Sequence, residues 1–142
     1  MAFRPGHRAY VGLDNAAGTL QNLSTYFDDV SVSYSIDQLD VTTFGTAGVK
    51  RFIPGLAGGD TFTLSGPMDT TALAHVGSCI AAQQAGTASF SFEYGPGGSV
   101  SGQPKLTAEV IIAGLEPPTS VSARSAWTVN LQLDGAVTFA TY

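Results

Sequence analysis

The chain is expected to be mainly β: an antiparallel β-sandwich or partly closed barrel with one packed α-helix. Three observations predict this. Apolar and small polar residues alternate with period two along several stretches, most clearly Val30, Val32, Tyr34 and Ile36 against Ser31, Ser33, Ser35 and Asp37. Only one stretch, after Pro67 and Met68, changes to helical spacing. Charged residues make up only 12% of the 142, about half the usual share. Gly, Ser and Thr take their place, which suits short strands and turns better than long solvated helices.

The length suits one domain, 1–142, with a real core. The formal net charge of −5 argues against a tight grip on nucleic-acid phosphates, which needs clustered Lys and Arg. A single cysteine, Cys79, allows no internal disulfide. The start of the chain, MAFRPGHRAY, lacks the apolar core of a signal peptide, and no run approaches the length of a membrane span. A soluble product made in a cytoplasm is expected.

Residues 1–7 read as an extended, basic N-terminal arm, and 8–14 as a short strand ended by the turn Asn15–Gly18. Residues 19–26 suit either a strand or a helical turn. The strand-like run Asp28–Asp40 carries the alternation described above. Residues 60–66, DTFTLSG, repeat it with Phe62 and Leu64 on one side and Thr61, Thr63 and Ser65 on the other. Asp69 is a good N-cap for a helix reaching about Gln84, with Leu73, Val76 and Ile80 as its apolar stripe, Ala72 and Cys79 widening it, and Gly86 as the stop. Strands follow at 87–94, at 105–115 with an irregularity at Ile111 and Ile112, and at 121–133 with Trp127, Val129, Leu131 and Leu133 buried. The connection 95–104 is Gly-rich and without large apolar side chains. Asp134-Gly135 reads as a tight hairpin that sends 136–142 back against its predecessor.

Between the strands ending at Asp40 and starting at Asp60 lies a long inter-strand loop, 41–59, VTTFGTAGVKRFIPGLAGG. Compact domains rarely keep so long a loop without a use for it. Its glycines and Pro54 disfavour a helix. It also carries Phe44, Val49, Lys50, Arg51, Phe52, Ile53 and Leu56, an apolar and basic set on an acidic chain. A partner that covers the arm explains this; the bland alternative is an arm folded back onto its own domain as a satellite core.

Signals for catalysis are poor. The sequence has no GxSxG, HExxH or GxxxxGK[ST] motif and no zinc spacing of Cys and His. His7 and His75 lack ligand partners, His75 reads as a helix-edge residue and Cys79 as a small core residue. Asp28 and Asp29 point to opposite faces if both lie in a strand, and Asp37 and Asp40 form no evident acid–base pair. No enzyme activity, metal or cofactor is expected. Strands with hydroxylic outer faces and a protruding arm suit self-assembly.

The segments DVTTFGTAGVKRFIPGL (40–56) and DTFTLSGPMDTTAL (60–73) resemble the tail tube, or major tail, proteins of long non-contractile-tailed phages (siphophages). Asp40–Phe44, Arg51–Gly55 and Thr61–Gly66 carry the likeness, and the order of elements extends it over roughly 8–142. The resemblance implies a fold shared with contractile-tail and type VI secretion tubes. It also implies hexameric rings whose inner sheets join into one barrel, stacked into a tube through which double-stranded DNA passes without specific binding. Phe44, Val49, Lys50, Arg51, Phe52, Ile53, Pro54 and Leu56 would then form the ring-stacking interface. Ser31, Ser33, Ser35, Asp37, Thr61, Thr63 and Ser65 would be lumen candidates, with the row Asn130, Gln132 and Asp134 an open alternative. A polar, weakly acidic wall lets phosphate slide past.

The implied partners are further copies of the chain and tape-measure, tail terminator and baseplate proteins. The implied location is the virion tail, assembled in the host bacterial cytoplasm, with no membrane. No added immunoglobulin-like domain is expected after Tyr142. The alternatives are a head–tail or baseplate ring protein of the same fold, or a soluble β-sandwich module that binds glycans, for which Tyr26 and Tyr94 are the loose aromatic candidates.

Overall fold

A computed structural model describes residues 9–117 and 126–142; the N-terminal arm 1–7 and the start of the 121–133 strand lie outside them. Among the described residues ten strands and one helix follow in order: β1 Tyr10–Asp14, β2 Leu20–Asn22, β3 Asp29–Ser31, β4 Ile36–Asp40, β5 Phe52–Ala57, β6 Thr61–Pro67, α1 Thr70–Gln84, β7 Phe90–Gly95, β8 Pro104–Glu116, β9 Ala126–Leu133 and β10 Thr138–Thr141. Short 3-10 turns lie at Ser24–Tyr26 and Phe44–Thr46. Residues 19–26 thus hold both of the expected alternatives in succession.

Eight strands make one antiparallel sheet in the order β2-β1-β7-β8-β9-β6-β3, with β10 also on β8. β4 and β5 form a separate two-stranded ladder. The large sheet is open but strongly curled. Phe62 on β6 and Phe92 on β7 belong to strands separated by two others, yet their rings lie 5.6 Å apart across the interior. The inner rows of β1, β6, β7, β8 and β9 therefore share one core, with Trp127, Phe62, Phe90 and Phe92 among its largest buried members. Each such side chain contributes about 1.5–3 kcal/mol by leaving water.

α1 closes this core. Asp69 caps it by accepting from the N–H groups of Thr71 (2.8 Å) and Ala72 (3.3 Å). Its buried line is Ala72, Val76 and Cys79, with Leu73 and Ile80 half-buried beside it, so the stripe is rotated toward the smaller residues. Small side chains let the helix approach the sheet closely. The Gln83 amide then ties helix to strand: it accepts from Ile112 N (3.0 Å) and donates to Ile112 O (3.1 Å). The register of β8 on β9 shifts between Ile112 and Gly114 at this point, leaving Ala113 as an inserted residue. The expected irregularity is present, one residue beyond the Ile111–Ile112 pair.

The run Asp28–Asp40 is not one strand. Strand pairing stops after Ser31 and resumes at Ile36, although Val30, Val32 and Tyr34 still pack against the core while Ser31, Ser33 and Ser35 stay exposed. The alternation fails at Ile36, which is exposed, because the chain there leaves the body. The end of the chain departs from expectation as well. Asp134-Gly135 makes no hairpin: β9 pairs with the Val110–Glu116 half of β8, and β10 continues in the same direction along its Pro104–Thr107 half. From Leu133 to Thr138 the chain advances five residues while β8 advances three, Val110 to Thr107. The Asp-Gly dipeptide is therefore a bulge in an interrupted strand. The 95–104 connection is built of turns, closed by Gly98 N to Gly95 O (3.0 Å) and Gln103 N to Val100 O (3.1 Å).

Candidate functional site

The arm is a β-hairpin. β4 and β5 pair antiparallel from Ile36↔Ala57 to Asp40↔Phe52, with a register shift between Ile36 and Gln38. Thr42 extends the ladder: its Oγ1 accepts from Arg51 N at 2.9 Å, while Val41 N donates to Arg51 O at 2.9 Å. Thr42 N also donates to the Asp40 carboxylate (2.8 Å); hydrogen bonding from the Thr42 side chain, and then from its backbone, holds the Asp40 carboxyl below its ordinary range. Gly55 lies against the facing strand, where a Cβ would sit 3.2 Å from Asp37 Cβ. The expectation of a loop without regular structure over 41–59 is thus corrected: Phe52–Ala57 is a strand, and only the tip around Phe44–Gly48 turns.

The hairpin projects its apolar side chains. Among the described residues eleven large hydrophobics are exposed, and eight of them are Ile36, Leu39, Val41, Phe44, Val49, Phe52, Ile53 and Leu56. Phe44 is wholly exposed and Leu56 is 83% exposed. The arm therefore does not fold back into a satellite core of its own body. Lys50 and Arg51 are exposed at the tip.

Its base is fixed. The Asp60 carboxylate accepts from Ser35 N (2.8 Å) and Ser35 Oγ (3.1 Å), and Gly58 N donates to Ser35 O (3.1 Å). Asp60 O accepts in turn from Leu133 N at 2.9 Å. Gly58 and Gly59 have φ of 95° and 81°, which only glycine adopts without strain. A Cβ on Gly58 would meet the Gly135 carbonyl oxygen at 2.9 Å. Asp60 was not singled out in the sequence; as the first acid after two glycines it resembled an ordinary strand start.

The second surface is the outer face of the sheet. Thr61, Thr63 and Ser65 stand opposite Gln132, Asn130 and Thr128, and Ser31 and Asp29 stand opposite Thr63 and Ser65. Hydroxyl–amide bonds join the rows: Thr61 Oγ1 to Gln132 Oε1 (3.2 Å) and Thr63 Oγ1 to Asn130 Oδ1 (3.3 Å). Farther along, Ser89 and Ser91 donate to Glu109 at 2.9 and 2.8 Å. The two expected polar rows thus belong to one face in part only. Ser31, Thr61, Thr63 and Ser65 share it with Asn130 and Gln132, whereas Ser33 and Ser35 lie between strands and Asp37 lies on the hairpin.

His75 donates from Nε2 to Asp14 O (3.0 Å), and the Cys79 thiol donates to the same oxygen (3.2 Å). Burial, and then the Asp14 charge, push that thiol up, away from the reactive thiolate. Among the described residues no group of three His, Cys, Asp or Glu side chains could hold a metal ion, and no helix is long and apolar enough to cross a membrane.

No protein-family model matches the chain, and no curated protein matches it by sequence. Solved structures do match by shape. The tail of an empty gene transfer agent particle, refined with C6 helical symmetry, superposes with a TM-score of 0.77 at 13% identity, over 98% of this chain and 100% of that one. The chain has the tail-tube fold. The SPP1 tail tube matches at a TM-score of 0.69 and 13% identity, over 99% of this chain and 80% of that one. The sheath/tube terminator of an extracellular contractile injection system matches at 0.74 and 13%, over 99% of each chain. At such identities the likeness is one of fold. On this chain the hairpin carries exposed apolar side chains, and the outer sheet face carries rows of hydroxyls and amides.

Proposed function

We propose that the chain is a structural, non-enzymatic subunit of a phage tail tube of the non-contractile type, in which copies form hexameric rings and the rings stack. The observation that carries this reading is the hairpin: eight exposed large hydrophobics on a two-stranded projection with a fixed base. A free protein rarely presents so much apolar surface unless another chain covers it. The tail-tube fold supports the same reading. The hairpin, with Phe44, Val49, Lys50, Arg51, Phe52, Ile53, Pro54 and Leu56, is the stacking element.

The outer sheet face is the lumen wall. Its hydroxyls, amides and carboxylates, Glu109 and Glu116 among them, stand beside no unpaired cation among the described residues, since Lys105 of β8 lies 3.9 Å from Glu93. Such a wall repels phosphate and lets double-stranded DNA slide. Tape-measure, terminator and baseplate proteins are the further partners. A second reading is a ring protein that stops at one ring, supported by the likeness to a tube terminator and to a chain of the anti-feeding prophage baseplate.

Negative-stain electron microscopy across a concentration series tests both. The subunit reading expects stacked rings or hollow tubes, lost when residues 41–51 are replaced by an Asn-Gly turn. Tubes of normal length from that variant would refute the stacking role, and single rings from the intact chain would favour the second reading.

A further inference from the structure

The hairpin needs a seat, and the body carries one of matching character. A cleft of about 500 Å³ opens between β1, the turn through Phe27 and β3. Val11, Phe27, Val30 and Tyr94 line it with apolar surface, and Asp28 and Asp29 line it with acid. Tyr94 also borders an adjoining, almost wholly apolar recess of about 240 Å³ that holds Val32, Leu106 and Phe139. Tyr94 is common to both linings, and together they make a trough with Asp28 and Asp29 in the first part and mostly apolar side chains, beside Lys105, in the second. The hairpin tip has the same two characters: Phe44 and Val49 are exposed, and Lys50 and Arg51 are two of the three basic residues among those described. The third, Lys105, is occupied by Glu93.

We propose that this trough receives the hairpin tip of a second copy of the chain, with Phe44 and Val49 on the apolar floor and Lys50 and Arg51 facing the Asp28–Asp29 end. The inference rests on the reading of the hairpin as the stacking element and adds where it lands. Donor and receptor are different surfaces of one chain, so the contact is heterologous and each copy that docks presents a fresh hairpin. Opposite charges across such a contact set register and rate of encounter. They also make assembly sensitive to salt.

Charge exchange tests it. The threshold concentration for assembly is measured by sedimentation for the wild type, for Lys50→Glu/Arg51→Glu, for Asp29→Lys, and for all three changes on one chain. Each reversal is expected to raise the threshold about tenfold or more, the change that about 1.4 kcal/mol makes. The combined variant is expected to recover part of the loss, because Asp29 is then reversed together with the hairpin while Asp28 keeps its charge. Melting temperatures that stay together show that the variants fold. If the hairpin reversal raises the threshold and Asp29→Lys leaves it unchanged, the trough is not the seat while the stacking role stands. Failure of the combined variant to recover also overturns the pairing. If neither reversal has an effect, the charged seat is wrong and this inference falls; if the wild type stays a single copy at every concentration, the stacking reading falls with it.

Discussion

Replacing Phe44 by Ser and both Val49 and Leu56 by Thr separates what the hairpin does for its own chain from what it does for an assembly. In the single copy these side chains are 110%, 64% and 83% exposed, so their removal uncovers nothing. Exposed substitutions of this kind change stability by about 0.5 kcal/mol or less each. At about 2–4 °C per kcal/mol for a chain of this size, the melting temperature should move by only a few degrees. Covered by a partner, each side chain would contribute about 1.5–3 kcal/mol. Even the low end, about 4.5 kcal/mol in all, raises the threshold for assembly about a thousandfold, at about 1.4 kcal/mol for each factor of ten. Analytical sedimentation over a concentration series reads the threshold, and circular dichroism reads the melt. A melting temperature lowered by more than about 10 °C would mean that the hairpin packs on its own body. An unmoved threshold would mean that no partner covers it. Either result refutes the reasoning.

Three further outcomes are expected. Asp69→Ala removes both capping bonds at the start of α1 and should cost about 1 kcal/mol in a urea melt. Asp60→Ala releases the Ser35 clasp; amides of residues 36–57 should exchange faster with solvent, while the core melts within about 4 °C of the parent. Stability should fall at alkaline pH. Burial raises the Tyr142 phenol, with Glu93 and Tyr10 adding to it, and burial and Glu93 raise Tyr10. The folded state therefore favours the protonated ring. Its contribution is whole below the ordinary phenol value of 10 and is lost as pH rises through the higher folded values. Tyr142→Phe should flatten this decline in a pH series of denaturant melts.

Where a residue pattern had one buried and one wet side, the sequence was enough to place it. Thr61–Pro67 and Ala126–Leu133 alternate cleanly because each strand has the core on one face only. The helix was legible from Asp69 and Gly86, since caps are local chemistry. The second hairpin strand was not. Both faces of Phe52–Ala57 are largely exposed, so no alternation marks it, and Pro54 and Gly55 look like breakers. Asp134-Gly135 misled for a different reason. The dipeptide shows that the chain bends but not whether it reverses, and the length of β8, 13 residues, leaves room beyond the end of β9 for the chain to continue forward. The arm's apolar residues were legible as interface candidates by their conflict with a solvent-exposed loop. Glu109 and Glu116 were not visible as part of one polar face until the strand order brought them to it.

The clasp at the hairpin base also sets a route for force. Ser35, Gly58 and Asp60 connect the hairpin to Leu133, and Gly58 abuts Gly135 where β9 passes into β10. A pull on the tip is therefore delivered first to backbone hydrogen bonds running along β6 and β9, not to the side chains of the core. Those bonds lie across the strands and would share a load along them in shear, several at once. A filament joined through such hairpins would carry its load through these strand ladders rather than through the packing of its cores.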